Sequence, residues 1–144
     1  MSDISENSIT IEAPIGEVVA VLTDLASYPT WSTAIKSAEV KATDDQGRAT
    51  SVKVSIDAGM MKDRVVLDYD WSAEPASLSF TMDEADLLTQ MDGTYTLKAL
   101  DADSTQVTYE LEIAVSMPVP AMMITKGQQQ TIDAALKELG EHLS

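Results

Sequence analysis

The side chains able to do chemistry in this chain are few and mostly neutral. Cysteine is absent and histidine occurs once, as His142. That removes thiol catalysis, disulfide scaffolds and the usual Cys/His zinc sets together. There is no Ser-His-Asp set, phosphate-binding loop or glycine-rich dinucleotide motif, so no catalytic residue, cofactor or metal site is assigned. What remains is a group of phenols, thioethers and amides. Tyr69, Trp71, Tyr95 and Tyr109 fall on apolar strand faces with polar tips, each either a core residue or part of a site. Met60, Met61, Met82, Met91, Met117, Met122 and Met123 follow the initiator in a chain with one phenylalanine, Phe80. Flexible, polarizable thioethers suit core filling or the wall of an adaptable apolar site.

Thr125 and Gln129 share a helical stripe with Met122 and Ile132, which aims two polar groups at whatever the helix covers. A buried amide needs a partner. Gln129 therefore bonds a strand side chain such as Tyr95 or Tyr109, or it meets water or a polar group of a ligand. Lys126 flanks the stripe and is expected in solvent. Proton-moving chemistry would need an acid or base at the same place, and the candidates are thin. Glu110 and Glu112 alternate outward beside Leu111 and Ile113, Glu39 and Arg64 are expected outside, and His142 lies near the chain's end.

The elements that must position these groups follow from local pattern. Ser8 to Glu12 alternates with period two, a short first strand. Pro14 then stands where a missing N–H costs a helix nothing, with Glu17 in the first turn. Ile15, Val18, Leu22 and Leu25 make one apolar face, and Pro29 cannot continue the helix. Tyr28 and Trp31 are expected to pack the turn between helix and sheet. From Ile35 onward, strand-like segments alternate with turns at Asp44 to Gly47, Ala58-Gly59, Glu74-Pro75, Asp83 to Asp86 and Asp101 to Asp103. Val52, Val54 and Ile56 share a face, as do Val65, Leu67, Tyr69 and Trp71. So do Leu78, Phe80 and Met82; Met91, Tyr95 and Leu97; and Val107, Tyr109, Leu111, Ile113 and Val115. The sheet has one dry and one wet face. Pro118 and Pro120 open a last helical segment, the one element long enough to cover the dry face, with Met122, Thr125, Gln129, Ile132, Leu136, Leu139 and Leu143 in its stripe.

With 144 residues, residues 1–144 are expected to form one domain that buries roughly 70% of the unfolded surface. Acidic residues number 24 against 9 basic ones, a net charge of −15. That disfavours nucleic acid and anionic membrane surfaces as partners. The longest apolar runs fall far short of the roughly 20 residues that span a bilayer. A polar, acidic start without signal-peptide character predicts a cytoplasmic protein.

The order of these elements, with Pro14, the run Asp24-Leu25-Ala26-Ser27-Tyr28-Pro29-Thr30-Trp31, Gly93-Thr94-Tyr95-Thr96-Leu97 and Thr105-Gln106-Val107-Thr108-Tyr109, resembles the START-like (SRPBCC) superfamily. Within it the chain looks like the bacterial polyketide cyclase/dehydrase and lipid-transport branch, from about Ser8 to His142. The resemblance implies an α+β helix-grip fold. A curved antiparallel sheet of about seven strands wraps a long C-terminal helix, with short helices after the first strand and a ligand cavity between sheet and helix. On that frame the expected ligand-binding set is Met60, Met61, Leu67, Tyr69, Trp71, Phe80, Met82, Met91, Tyr95, Tyr109, Met122, Thr125 and Gln129. The expected function is binding or carriage of a small hydrophobic ligand of lipid, quinone or polyketide type. Two alternatives stay open: a cyclase or dehydratase using the same cavity, with Tyr95 or Tyr109 and Gln129 polarising a carbonyl, and a protein-interaction module whose acidic surface seeks a basic partner.

Overall fold

A computed structural model describes residues 4–57, 62–71, 76–115 and 118–143. The first strand, β1 (Ser5–Ile11), leads into helix α1 (Ile15–Thr23), a single 3-10 turn (Leu25–Ser27) and the short helix α2 (Tyr28–Trp31). Six further strands follow: β2 (Ile35–Thr43), β3 (Ala49–Asp57), β4 (Lys62–Asp70), β5 (Ser77–Ala85), β6 (Leu88–Asp101) and β7 (Ser104–Val115). Helix α3 (Ala121–Leu143) closes the chain. All seven strands join one antiparallel sheet in the order β1-β7-β6-β5-β4-β3-β2. Sequential meandering therefore builds everything except the return of β1 to the edge beside β7. The result is the α+β helix-grip architecture.

The period-two pattern sets the sheet's two faces as expected. Val52, Val54, Ile56, Val65, Leu67, Leu78, Phe80, Tyr95, Val107, Tyr109 and Leu111 are buried in one core with Ile132, Leu136 and Leu139 of α3. Register shifts in β2–β3, β4–β5 and β6–β7 add the local bending that curves a sheet around a helix. Pro14 caps α1, and Val18 and Leu22 face inward. Tyr28 then donates from its hydroxyl to the Leu22 carbonyl at 2.7 Å, satisfying one of the free carbonyls at the end of α1.

Turns are placed by side chains more than by composition. Gly47 has φ 81°, the left-handed region open to glycine, while Asp44 Oδ1 accepts from the backbone N–H groups of Gln46 and Arg48 at 2.9 Å each. The β5–β6 turn falls at Asp86-Leu87, since β5 continues through Ala85, and not over Asp83 to Asp86. Its anchor is Asp63, a buried carboxylate at the start of β4. Asp63 accepts from the N–H groups of Asp86 (3.1 Å), Leu87 (2.9 Å) and Leu88 (2.8 Å) as well as Arg64 (2.8 Å). The expected turns at Ala58-Gly59 and Glu74-Pro75, and Met117, lie outside the described residues.

Candidate functional site

A cavity of about 50 Å³ lies between the dry face of the sheet, α2 and α3. Strand parity supplies one wall: Val54 and Ile56 from β3, Leu67 and Tyr69 from β4, Phe80 from β5, Met91 and Tyr95 from β6, and Tyr109 from β7. The opposite side comes from Thr131 and Ala135 of α3, Tyr28 and Trp31 of α2, and Ser32, Ala34 and Ile35 beyond it. Two clasps hold these pieces in place. Glu138 of α3 accepts from the Thr33 N–H at 3.2 and 3.3 Å. Gln128 of α3 accepts from the Ile113 N–H at 2.7 Å and donates from Nε2 to Ser5 Oγ at 3.0 Å.

The aromatic residues are arranged in pairs. Tyr95 and Tyr109 stack with centroids 4.1 Å apart and planes 9° from parallel. Tyr69 lies 5.4 Å from Phe80 and stacks on Trp71 at 5.2 Å. Trp71 itself does not line the cavity and donates from Nε1 to the Ala49 carbonyl at 2.7 Å. Phe80 reaches its position because its neighbour across the strands is Gly93: a Cβ there would come within 3.0 Å of three atoms of the Phe80 ring.

Of the chain's tyrosines, numbering 4, each borders the cavity. Burial pushes the phenols of Tyr28, Tyr69, Tyr95 and Tyr109 up; neighbouring phenols add to this at Tyr28, Tyr69 and Tyr95, while a hydrogen bond with Tyr95 opposes it at Tyr109. They are therefore neutral hydroxyls throughout the ordinary pH range, able to hydrogen-bond and unable to serve as bases. Among the described residues, those around the cavity include no carboxylate, lysine, arginine or histidine. Among the described residues no group of three His, Cys, Asp or Glu gathers as a metal-ligand set. This arrangement can enclose an apolar body and offer it neutral hydrogen bonds.

Six residues singled out from the sequence meet at the cavity: Leu67, Tyr69, Phe80, Met91, Tyr95 and Tyr109. Others do not. Met82 is half-buried against the core away from the cavity wall, and Thr125 is half-buried on α3 outside it. Met122 is 81% exposed, where the stripe pointed it inward. Gln129 is likewise corrected: its Nε2 donates to Asp133 Oδ1 at 3.0 Å along the open side of α3, and it bonds neither Tyr95 nor Tyr109. At 3.6 residues per turn, Gln128 stands about 40° to one side of Ile132 and Gln129 about 60° to the other. The nearer amide is the one taken inward, where the Ile113 N–H and Ser5 satisfy it. Met60 and Met61 lie outside the described residues.

Tyr28 and Trp31, expected only to pack a turn, both form cavity wall. Their amphipathic rings just past a helix are the available signal. Asp63 escapes the sequence reading although its parity with Val65 and Leu67 already places it on the dry face.

A seven-stranded sheet gripping a long C-terminal helix over an apolar, aromatic cavity defines a START-like helix-grip protein. The chain belongs to the polyketide cyclase / dehydrase and lipid transport family, whose profile matches residues 4–144. It is similar in structure to a START superfamily protein from Mycobacterium smegmatis (TM-score 0.91, 20% identity, covering 97% of this chain and 96% of that one). It is also similar to a protein from Thermus thermophilus (TM-score 0.84, 21% identity, 98% and 97% covered). The Zhui aromatase/cyclase from Streptomyces sp. R1128 is a third (TM-score 0.79, 16% identity, 98% and 93% covered). No curated protein matches the sequence. No helix among the described residues is long and apolar enough to cross a membrane.

Proposed function

We propose that this protein binds and carries a small hydrophobic ligand in the cavity beneath α3, without converting it. The observation that supports carriage over catalysis is the lining itself: apolar and aromatic walls with hydroxyl and indole groups, and, among the described residues, no side chain that titrates near neutral pH. Cyclisation and dehydration need a positioned acid or base, and the raised phenols do not supply the base. The cavity's volume of about 50 Å³ has room for a few waters and is well below the roughly 150 Å³ that takes benzene. Uptake must therefore part the walls. Burying ten methylenes would return roughly 8 kcal/mol gross at about 0.8 each; association costs of about 4 kcal/mol or more leave about millimolar affinity at best, less whatever parting the walls costs. The cysteine-free, strongly acidic composition fits a cytoplasmic carrier.

The test is displacement of an apolar fluorescent probe from the native protein and two variants. Ala135→Leu narrows the cavity by about the cavity's own volume and is expected to abolish probe uptake while circular dichroism stays native. Met122→Trp changes an exposed position and is expected to bind normally. Equal binding by all three proteins would remove the cavity as the site. A native ligand recovered chemically altered after incubation would overturn carriage in favour of catalysis.

A further inference from the structure

Among the described residues one buried side-chain polar atom has no hydrogen-bond partner, the indole Nε1 of Trp31. Trp31 is 9% exposed, and its ring is part of the cavity wall. The other indole is fully satisfied, with Trp71 bonded to the Ala49 carbonyl. The groups around Trp31 do not serve it. The Tyr28 hydroxyl donates to Leu22, and two rings lie beside the indole. Tyr28 lies at 4.9 Å, tilted by 55°, and His142 stacks at 6.1 Å. An indole N–H is a donor with no acceptor capacity, and leaving it unmade in a dry site is costly.

We propose that Trp31 Nε1–H is the donor that orients the cavity's ligand, which is therefore an apolar compound carrying a neutral oxygen acceptor, such as a ketone or ether. This rests on the reading of the cavity as a ligand site. Two observations fix the class. A donor-only group demands an acceptor. An anionic acceptor is disfavoured, since no cation among the described residues borders the cavity and the protein carries a net charge of −15; a buried unpaired charge is expensive. Trp31 is thus a specificity determinant.

Two probes that differ by one carbonyl test it: 1-tetralone and tetralin. In ¹⁵N-labelled native protein the Trp31 indole resonance, assigned by its loss in Trp31→Phe, is expected to move downfield with 1-tetralone and far less with tetralin. The Trp71 resonance stays as an internal reference. Trp31→Phe keeps an aromatic wall and removes the donor, so it is expected to weaken 1-tetralone binding about tenfold and tetralin binding less than twofold. Equal loss for both probes would reduce Trp31 to a wall residue. A Trp31 resonance unmoved while 1-tetralone is bound would mean that the Tyr28 ring face already accepts its N–H, and it decides the matter even if Trp31→Phe fails to fold. Tetralin bound as well as 1-tetralone overturns the donor assignment alone. Failure of both probes to bind overturns the cavity reading, and the donor assignment with it.

Discussion

Asp63 shows how one side chain can matter more than its position suggests. Its carboxylate accepts four backbone N–H groups and ties the start of β4 to the β5–β6 turn. Bonds to a charged acceptor are the stronger kind, and removing it strands donors that include the buried Leu88 N–H. Asp63→Ala is expected to destabilise the fold by about 2–4 kcal/mol, read from urea unfolding, with Asp63→Asn losing less. An effect under about 0.5 kcal/mol, the size of an ordinary surface change, would show that water replaces the carboxylate. Gly93 acts by what it lacks. Gly93→Ala forces the Phe80 ring off strand β6 at a cost of about 1–3 kcal/mol, and the displaced ring should lower probe uptake. Unchanged stability and uptake would mean that the ring has somewhere else to go.

At the level of the element, α3 is held by phase and by one amide. Among the described residues β1 ends its pairing with β7 at Ser5, opposite Leu111, so none of them from β1 stands opposite Ile113, two residues further along β7. Gln128 supplies the Ile113 N–H with an acceptor from the helix. Replacing it with leucine leaves a buried N–H unpaired, and Gln128→Leu is expected to cost about 1–3 kcal/mol. Gln129→Leu, on the open side, should fall within about 0.5 kcal/mol of the native protein. Chemical denaturation of both variants checks the pair, and equal effects would contradict the helix phase. The amphipathic pattern made the helix itself legible, along with Ile132, Leu136 and Leu139. It could not choose between adjacent glutamines that straddle the edge of the stripe, because that choice depends on which of them finds partners on the sheet.

For the molecule as a whole, the four buried phenols link stability to alkaline pH. Unfolded tyrosines titrate near 10, and the folded ones lie higher. Below about pH 10 both states keep the proton, and the contribution is fully present. As pH climbs above 10 toward the folded values, the unfolded chain releases protons that the native state holds, so stability falls. Each tyrosine contributes about 1.4 kcal/mol per pH unit, and the four together up to about 5. Thermal unfolding from pH 8 to 11 should show the midpoint dropping steeply beyond 10, with tyrosinate absorbance appearing only on unfolding. Tyrosinate that appears before unfolding would place the phenols in contact with solvent.

Strand faces, the Pro14 start, the halt at Pro29 and the closing helix are visible in the chain because periods of 2.0 and 3.6 residues are local properties. The same patterns place Leu67, Tyr69, Phe80, Met91, Tyr95 and Tyr109 on the inner face, and those residues border the cavity. What only the tertiary structure decided involves partners distant in sequence. Asp63 sets the turn at Asp86-Leu87 from 23 and 24 positions away, Gln128 is drawn inward by Ser5 across 123 positions, and Met122 is left outside. Trp31 becomes cavity wall because Glu138 of α3 clasps the Thr33 N–H, 105 positions apart, just after α2. Periodicity reports which face of an element is dry, but the groups waiting on that face come from elsewhere in the chain, and they decide which polar side chain can be buried there at tolerable cost.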